Sequence, residues 1–464
     1  MRTETDSLGQ IQVPADALWG ASTQRAVLNF PISGRPMPEA FVRGLGLVKL
    51  AAAQANAALG RLTPEKARLI GLAAREIADG RHAGQFPIDV FQTGSGTSTN
   101  TNANEVIVHR AKQLAGPDGT AVHPNDDVNL GQSSNDVIPT TLHVSVALAL
   151  QRDLLPALAD LAGMLEQKSI EFTDVVKIGR THLMDATPLT LGQEFSGYAR
   201  QIRKAGERVQ RAIAALGELA IGGTAVGTGI NTHPDFAALV CRILSDETGI
   251  AFCEARNHFE AQAARDDCVE VAGTLVAVSA SLTKVANDLR LLGSGPRAGL
   301  GELRLPVIQP GSSIMPGKAN PVLCETLVQV GLYVQGLMQT VMACGREGQM
   351  ELNATLPLIA HCLHEAIHCL ANGTRVFADK CVAGIEVDPA RCRELVERSL
   401  MLVTALTPRI GYDAAASVAR EALASGKSLR EVVLARGLMD VTALDHALNP
   451  LAMIRPSSES GTTR

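Results

Sequence analysis

The feature that most constrains the fold of this 464-residue chain is a long stripe of apolar residues at helical spacing. Intervals of three and four alternate along the stripe, which is the pattern of a long helix packed against other long helices. Small residues beside it, such as Ala272, Gly273, Ala277 and Ala280, permit close approach of those neighbours. A second stripe of the same kind covers 323–344. The first stripe consists of Cys268, Val271, Leu275, Val278, Leu282, Val285, Leu289 and Leu292.

The composition agrees with a helical core that several copies of the chain would share. Hydrophobic residues make up 46% of the chain but aromatic residues only 3%, so Ala, Leu, Val and Ile must fill the interior. Such a mixture favours closely packed helices. Self-association of several chains would cover the apolar stripe.

Charge and cysteine content exclude several classes of protein. The net charge is −5 without a basic cluster, which argues against a nucleic-acid partner. The polar N-terminus has no export signal, and no unbroken apolar run approaches the length of a membrane span. The nine cysteines are scattered without a C-x-x-C pair, so we expect free thiols in the cytoplasm and no iron–sulfur cluster.

The stretch at 309–321, QPGSSIMPGKANP, concentrates polar and turn-forming residues. It is predicted to be a shaped loop that opens a helix, with Asn320 as N-cap and Pro321 at the first helical position. Lys318 and Asn320 would then stand at a positive helix end, which suits a carboxylate. The alternative interpretation is a turn that only caps a bundle helix.

Other loops of similar composition lie between the predicted helices. They occur at 93–97, 133–135, 179–194 and 222–234, and several precede a helix N-terminus. If these loops converge, they form a pocket lined with hydroxyl, amide and N–H donors and one lysine. A small dianionic molecule is the expected ligand of such a pocket.

Two motifs offer competing interpretations. His364, Glu365 and His368 form an H-E-x-x-H pattern, which on a helix can bind zinc. A pattern of five residues arises easily by chance, so we do not expect a metal. The glycine-rich loop at 222–229 lacks the lysine of a phosphate-binding loop, which argues against a nucleotide.

Several ordered motifs resemble the fumarase/aspartase superfamily. The segment GSSIMPGKANP at 311–321 is similar to the signature loop of that superfamily. Further matches extend over the whole chain: TGSGT at 93–97, NEV at 104–106, HPND at 123–126, SSND at 133–136, GRTH at 179–182, GGTAVGTG at 222–229, ANDLR at 286–290, LVTAL at 402–406 and IGY at 410–412.

Within the superfamily the chain looks most like the class II, metal-free fumarases, through HPND and SSND. Other segments resemble aspartases instead, including STN at 98–100 and GQMELN at 348–353. Two residues depart from the fumarase pattern. Ala319 replaces the usual valine of the signature loop. Thr120 stands where related fumarases can carry arginine.

The resemblance implies an all-α chain of three domains, with a twenty-helix core in a homotetramer. The expected domains are 1–136, 137–388 with the signature loop 309–321, and 389–464. The implied activity is reversible hydration of fumarate to (S)-malate, a step of the tricarboxylic acid cycle, without cofactor or metal. The alternatives are an aspartate ammonia-lyase and an inactive structural protein. Each active site would combine residues of three subunits.

The resemblance also implies roles for individual residues. Ser312 would be the base, His182 the acid, Glu325 its orienting partner, and Lys318 a source of positive charge. The residues expected to bind substrate are Ser95, Gly96, Thr97, Ser133, Ser134, Asn135, Thr181, Ser313, Lys318, Ala319 and Asn320. A secondary anion site is expected at His123, Pro124, Asn125 and Asp126.

Overall fold

A computed structural model describes residues 1–456 of the chain. The polar tail at 457–464, which the sequence predicts to be disordered, lies outside the described residues. The all-α prediction is confirmed, since helices form nearly all of the regular structure. The helices are α1 Ala21–Asn29, α2 Glu39–Ala58, α3 Pro64–Ala78, α4 Thr97–Ala115, α5 Ser134–Ala149, α6 Leu155–Glu171, α7 Leu191–Ala215, α8 Phe236–Thr248, α9 His258–Ala263, α10 Asp266–Leu292, α11 Val322–Gly345, α12 Leu356–Lys380, α13 Pro389–Arg398, α14 Thr407–Ile410, α15 Tyr412–Ser425, α16 Leu429–Ala435 and α17 Val441–Ala447.

Short strands form small two-stranded sheets beside these helices. Four of the pairs are antiparallel (β1–β2, β3–β4, β7–β10 and β8–β9), and β5–β6 is parallel. The strands are β1 Arg2–Asp6, β2 Gly9–Val13, β3 Val176–Thr181, β4 Met184–Thr190, β5 Glu218–Leu219, β6 Cys253–Glu254, β7 Leu303–Arg304, β8 Gly348–Gln349, β9 Leu352–Asn353 and β10 Glu386–Val387.

The chain divides into two compact units, and each unit draws on three separate segments. The first unit contains 1–158, 205–280 and 329–373, and the second contains 159–204, 281–328 and the chain from Thr374 onward. Several unit boundaries fall inside long helices. This division into two units does not test the three predicted domains, which stay a prediction.

The apolar stripe from Cys268 to Leu292 forms the buried face of α10. All eight of its residues, from Cys268 to Leu292, are at most 5% exposed. The buried face of α11 is slightly rotated from the predicted one. Leu327, Val334 and Val341 are buried as expected, but Leu323 and Leu337 are only half-buried. Periodicity therefore predicts the helix and its spacing better than the exact face.

Helices α10 and α11 have the length and mean hydropathy of a membrane-spanning helix, with values of 1.4 and 1.3. Within these windows, 50% of the α10 residues and 33% of the α11 residues are buried in the chain. The central helices of a bundle meet the same criterion. The expectation that no segment spans a membrane stays a prediction.

The core of the first unit is built around α2, which packs against α3, α5 and α8. Close approach depends on small residues. A Cβ on Gly46 would lie 2.6 Å from the backbone nitrogen of Ala78 in α3. The second unit has a separate core near its C-terminal end, where β3 supplies Ile178 to a cluster formed by the short helices from α13 onward.

The H-E-x-x-H pattern lies on α12, and its first histidine packs in the core. His364 is 5% exposed, and its Nε2 lies 2.9 Å from the hydroxyl oxygen of Ser145 in α5. His368 is exposed and faces the side-chain amide of Asn372. Within residues 1–456, no three His, Cys, Asp or Glu side chains are grouped as metal ligands.

The buried His364 should make stability depend on pH. Burial lowers the pKa of His364 from 6.5 to about 4, because the charged imidazolium loses its hydration. The neutral ring is therefore favoured in the fold, and its stabilising contribution is lost as the pH falls from about 6.5 through about 4. We expect the melting temperature of H364Q to vary less with pH over this range than that of the wild type. Thermal melts at a series of pH values would measure the difference.

His368→Gln is the matched control, because His368 lies one turn along the same helix but is exposed. Its pH dependence should equal that of the wild type. Equal slopes for H364Q and the wild type would mean that His364 does not contribute.

Candidate active site

Two helices of the first unit begin side by side. Thr97 is the first residue of α4, and Ser134 is the first residue of α5. Their hydroxyl oxygens, Thr97 Oγ1 and Ser134 Oγ, lie 2.7 Å apart. The hydroxyl of Ser95 lies 2.9 Å from Thr97 Oγ1. The first N–H groups of a helix have no partner within it, and the helix dipole is positive at this end. The paired helix ends thus offer hydroxyl and N–H donors to one anion.

Gly96 allows this arrangement. It is the N-cap of α4 and has a φ of 74°, in the left-handed region that favours glycine. A Cβ at this position would also lie 2.8 Å from Cγ2 of Ile138 in α5. The sequence predicted a loop at 93–97, but Thr97 already begins α4. Its first turns are rich in Ser, Thr and Asn, which favour helices only weakly. The sequence therefore did not indicate that the helix starts at Thr97.

The start of α5 is held by a capping box. The hydroxyl of Ser133 accepts a hydrogen bond from the backbone N–H of Asn135, and the carboxylate of Asp136 accepts one from the N–H of Ser133 at 2.9 Å. The side-chain amide of Asn135 donates to the carbonyl of Ala225 at 2.8 Å. One donor of this predicted substrate ligand is therefore already bound to the loop at 222–229.

The signature loop of the second unit is closed by its own hydrogen bonds. The N–H of Gly311 donates to the carbonyl of Lys318 at 2.9 Å, and the Asn320 side-chain amide donates to the carbonyl of Gly311 at 2.6 Å. Asn320 therefore closes the loop and does not cap the helix as predicted, and α11 begins at Val322. Ser313, Lys318 and Ala319 of this loop are exposed in the chain.

Ser312 occupies a distinctive position in this loop. Its hydroxyl oxygen accepts hydrogen bonds from the backbone N–H groups of Ile314 at 3.2 Å and Met315 at 3.0 Å. Two N–H donors directed at one oxygen favour its negatively charged form over the neutral hydroxyl. The role of Ser312 as a base stays a prediction, and such a role requires stabilisation of negative charge on this oxygen.

His182 stands at the tip of the β3–β4 hairpin, which the sequence predicted only as a loop. Thr181 pairs with Met184, so His182 and Leu183 form a two-residue turn. Their φ angles are 56° and 62°, in the left-handed region that non-glycine residues rarely adopt. Backbone strain of this kind concentrates at functional sites. Thr181 and His182 are both exposed in the chain.

A buried ion network supports this hairpin, and sequence reasoning missed it. The fully buried carboxylate of Glu302 receives both terminal nitrogens of Arg180, at 2.9 and 3.1 Å. Lys177 of the same strand is 1% exposed and lies 3.6 Å from Glu302 and 3.1 Å from Glu194. The only sequence signal was the charge of Arg180 and Lys177 in an otherwise half-buried strand.

The predicted secondary anion site lies on a π-helical turn, Pro124–Val128. The ring nitrogen Nδ1 of His123 accepts hydrogen bonds from the N–H groups of Asn125 and Asp126, at 3.3 and 3.0 Å. Lys66 binds the carboxylate of Asp127 at 2.8 Å. These donors already have partners within the turn, and anion binding here stays a prediction.

The structure thus brings the predicted residues together in groups. Within the first unit, Ser95, Gly96, Thr97 and Ser133–Asn135 share the paired helix ends. Within the second unit, the 309–321 loop carries one group and the hairpin tip another. Glu325 lies in the first turn of α11 and is exposed. The catalytic and binding roles of all these residues stay predictions.

The ion network generates a prediction for the hairpin. Glu302→Gln leaves Arg180 beside a neutral group and Lys177 with Glu194 as its carboxylate partner. Breaking a buried ion pair in this way costs about 3 kcal/mol or more. We expect a lower free energy of unfolding and faster hydrogen exchange of the 176–190 hairpin. Denaturant unfolding and exchange mass spectrometry would measure the two effects.

Glu394→Gln is the matched control. Glu394 also accepts from two arginines, Arg391 and Arg398, but its side chain is 49% exposed. Exposed ion pairs contribute little, so this variant should lose much less stability than Glu302→Gln. Equal losses in the two variants would contradict a special role for the buried network.

Comparison with known proteins identifies the family of the chain. Residues 9–336 match the family described as Lyase, and residues 402–455 match the family described as Fumarase C C-terminus. The chain is 54% identical to the class II fumarate hydratase of Corynebacterium glutamicum, covering 99% of this chain and 98% of that protein. It is 51% identical to the class II fumarate hydratase of Mycobacterium tuberculosis, covering 98% of this chain and 96% of that protein.

A solved structure agrees at the level of the fold. The crystal structure of recombinant class II fumarase from Schistosoma mansoni superimposes with a TM-score of 0.95 at 40% identity, covering 97% of this chain and 98% of that one. Two family matches in chain order, full-length relatives above 50% identity and a shared fold all support one assignment. The chain belongs to the class II fumarate hydratase family of lyases.

Proposed function

We propose that this protein catalyses the reversible hydration of fumarate to (S)-malate. The difficult step, in the dehydration of malate to fumarate, is removal of a proton from the carbon beside a carboxylate. The resulting carbanion is stabilised as an aci-carboxylate, so donors and positive charge must face that group. The protein needs a base, an acid and a binding site for two carboxylates.

The observation that carries the proposal is the environment of Ser312. Its oxygen receives two backbone N–H groups, which would stabilise the alkoxide required of a base. Lys318 lies on the same short loop, and its positive charge would favour the same ionisation. We assign the removal of the C3 proton to Ser312. In the reverse direction Ser312 returns that proton to carbon.

The paired starts of α4 and α5 suit a substrate carboxylate. Thr97 and Ser134 present hydroxyl groups 2.7 Å apart, and each belongs to the first turn of a helix. Both helix dipoles favour an anion at this point. We propose that the paired helix starts bind one carboxylate, with Ser95, Ser133 and Asn135 around it. Thr181, Ser313, Lys318 and Asn320 contribute further donors.

His182 is assigned as the acid that protonates the departing hydroxyl. An imidazole exchanges protons near neutral pH, which general acid catalysis requires. Its place at a strained hairpin tip, above the buried Arg180–Glu302 pair, fixes the backbone that carries it. In the hydration direction the same ring takes a proton from water. Glu325 is proposed to orient it from another subunit.

The exposure of these groups supports assembly into a homotetramer with shared active sites. His182, Lys318 and Glu325 are exposed in the chain, as are the apolar side chains of Leu183 and Ile314 beside them, at 75% and 83%. Catalysis of this type needs a site that excludes bulk water. We propose that neighbouring subunits cover these surfaces. We also propose a cytoplasmic location, which fits the nine free cysteines.

The activity itself is tested by absorbance of fumarate, with (S)-malate and L-aspartate supplied separately in metal-free buffer. We expect absorbance to rise with malate and not with aspartate. The names of the close relatives and the HPND and SSND motifs favour this result over ammonia elimination. Formation of fumarate from aspartate alone would replace hydratase by aspartate ammonia-lyase. No reaction with either substrate would favour an inactive structural protein.

Ser312→Ala tests the assignment of the base. Removal of a general base typically costs about 10²–10⁴-fold in rate, so turnover of malate should fall by at least about 100-fold with the tetramer intact. Steady-state kinetics and size-exclusion chromatography would measure the two properties. The control is Ser425→Ala, because Ser425 also accepts a backbone N–H two residues ahead but lies on an exposed C-terminal helix end. Near-normal activity of S312A would remove Ser312 from this role.

A further inference from the structure

Asp136 joins two loops of the first unit. Its carboxylate is fully buried, and each oxygen serves a different segment. Oδ1 accepts the N–H of Ser133 at 2.9 Å, which closes the start of α5. Oδ2 accepts the N–H groups of Gly222 at 3.0 Å and Thr224 at 2.9 Å. One side chain therefore links the Ser133–Asn135 helix end to the glycine-rich loop at 222–229.

The glycine-rich loop takes its shape from these bonds. Thr224 has a φ of 55°, which is unfavourable for a branched side chain and persists only where neighbours hold it. The buried side-chain amide of Gln262 donates to the carbonyl of Thr224 at 2.9 Å. The next carbonyl, that of Ala225, receives the side-chain amide of Asn135. The loop thus determines where a predicted substrate ligand points.

A buried lysine provides the opposite charge. Lys49 in α2 is 1% exposed, and its Nζ donates to Oδ1 of Asn129 and Oε1 of Gln132, both at 3.0 Å. Burial lowers the pKa of Lys49 to about 7, and the charge of Asp136 opposes that change. Burial raises the pKa of Asp136 to about 6, against its three N–H donors and Lys49. The charge of Asp136 favours the protonated form of Lys49, while the three N–H donors favour the ionised Asp136 more than Lys49 does.

The same network reaches α4. Asn100, one turn beyond Thr97, donates to the Asn129 oxygen that Lys49 also binds, at 3.1 Å. These bonds and those of Asp136 form two sets, which adjoin in the chain at Gln132 and Ser133. They connect α2, α4, the start of α5 and the 222–229 loop, and all of them lie in the first unit.

We propose that Asp136, with Lys49 as its counter-charge, is a positioning residue for substrate binding. It holds the 222–229 loop against the start of α5, so that Asn135 and Ser134 keep the orientation in which they bind a carboxylate. A purely structural buried carboxylate would affect stability alone. Asp136 also fixes the backbone of the two segments that hold Asn135, a predicted ligand. The inference rests on the proposed function only through the identity of the substrate.

Asp136→Asn is the first test, because it keeps the shape and removes the charge. An amide can accept at one oxygen only, so either Ser133 or the Gly222–Thr224 pair loses its acceptor. Hydrogen bonds to a charged group contribute about 1.5–3 kcal/mol, which corresponds to roughly 10–100-fold. We expect the KM for (S)-malate to rise by at least about tenfold, with a smaller change in kcat. Amide hydrogen exchange of the 222–229 loop should accelerate in the assembled variant.

Glu431→Gln is the matched control. Ser428 and Glu431 form the same capping box at the start of α16, but Glu431 has no bond to a second loop and is exposed. This variant should keep the wild-type KM and the wild-type exchange of 222–229. An Asp136→Asn protein with a lower melting temperature but wild-type KM and loop exchange would overturn the proposal.

Lys49→Gln covers the case in which D136N does not fold. It leaves every hydrogen bond of Asp136 in place and removes the opposite charge, together with the bonds of Lys49 Nζ to Asn129 and Gln132. We expect the same rise in KM and in loop exchange, to a smaller extent. Unchanged values would overturn the proposal. Should the wild type prove inactive towards malate, the exchange measurement would still test the positioning role, while the proposed function would fail separately.

Discussion

The start of α4 and the start of α5 meet at hydrogen-bond distance, and much of the first unit is organised so that they can. A helix end exposes N–H groups without partners and a positive dipole, so placing two of them together is unfavourable without an anion or strong acceptors nearby. Gly96 allows the start of α4 to approach Ile138 of α5 closely. The buried carboxylate of Asp136 is an acceptor at the start of α5. Thr97 remains exposed and Ser134 half-buried, so both hydroxyl groups lie close to the surface of the chain.

Much of this fold could be predicted from the sequence, because its strongest signals are periodic. The stripe from Cys268 to Leu292 is buried throughout, since a repeat of three and four can be satisfied only by a helix with one apolar face. The polar loops at 93–97, 133–135 and 309–321 were also recognisable, because serine, threonine, asparagine and glycine mark helix starts and turns. Their functional meaning came from a resemblance, which single-residue reasoning could not supply.

The remaining features depend on partners that are distant in sequence. The β3–β4 hairpin was not predicted, because its turn uses His182 and Leu183 where Asn-Gly would be the usual signal. The acceptor of Arg180 is Glu302, and the charge that balances Asp136 is Lys49. No local pattern connects such pairs. Asn320 shows the same limitation, since its side chain bonds to Gly311 and not to the helix that follows it.

The left-handed turn at His182 and Leu183 has an evolutionary consequence. A left-handed backbone costs a non-glycine residue about 1–2 kcal/mol, so glycine or asparagine at 183 would relax the hairpin. Selection for thermal tolerance alone should therefore favour such replacements. Glycine would also widen the range of directions in which the imidazole points. Leucine at this position restricts the directions of the imidazole at a cost in stability, so replacements at 183 that raise heat resistance should also loosen the orientation of His182.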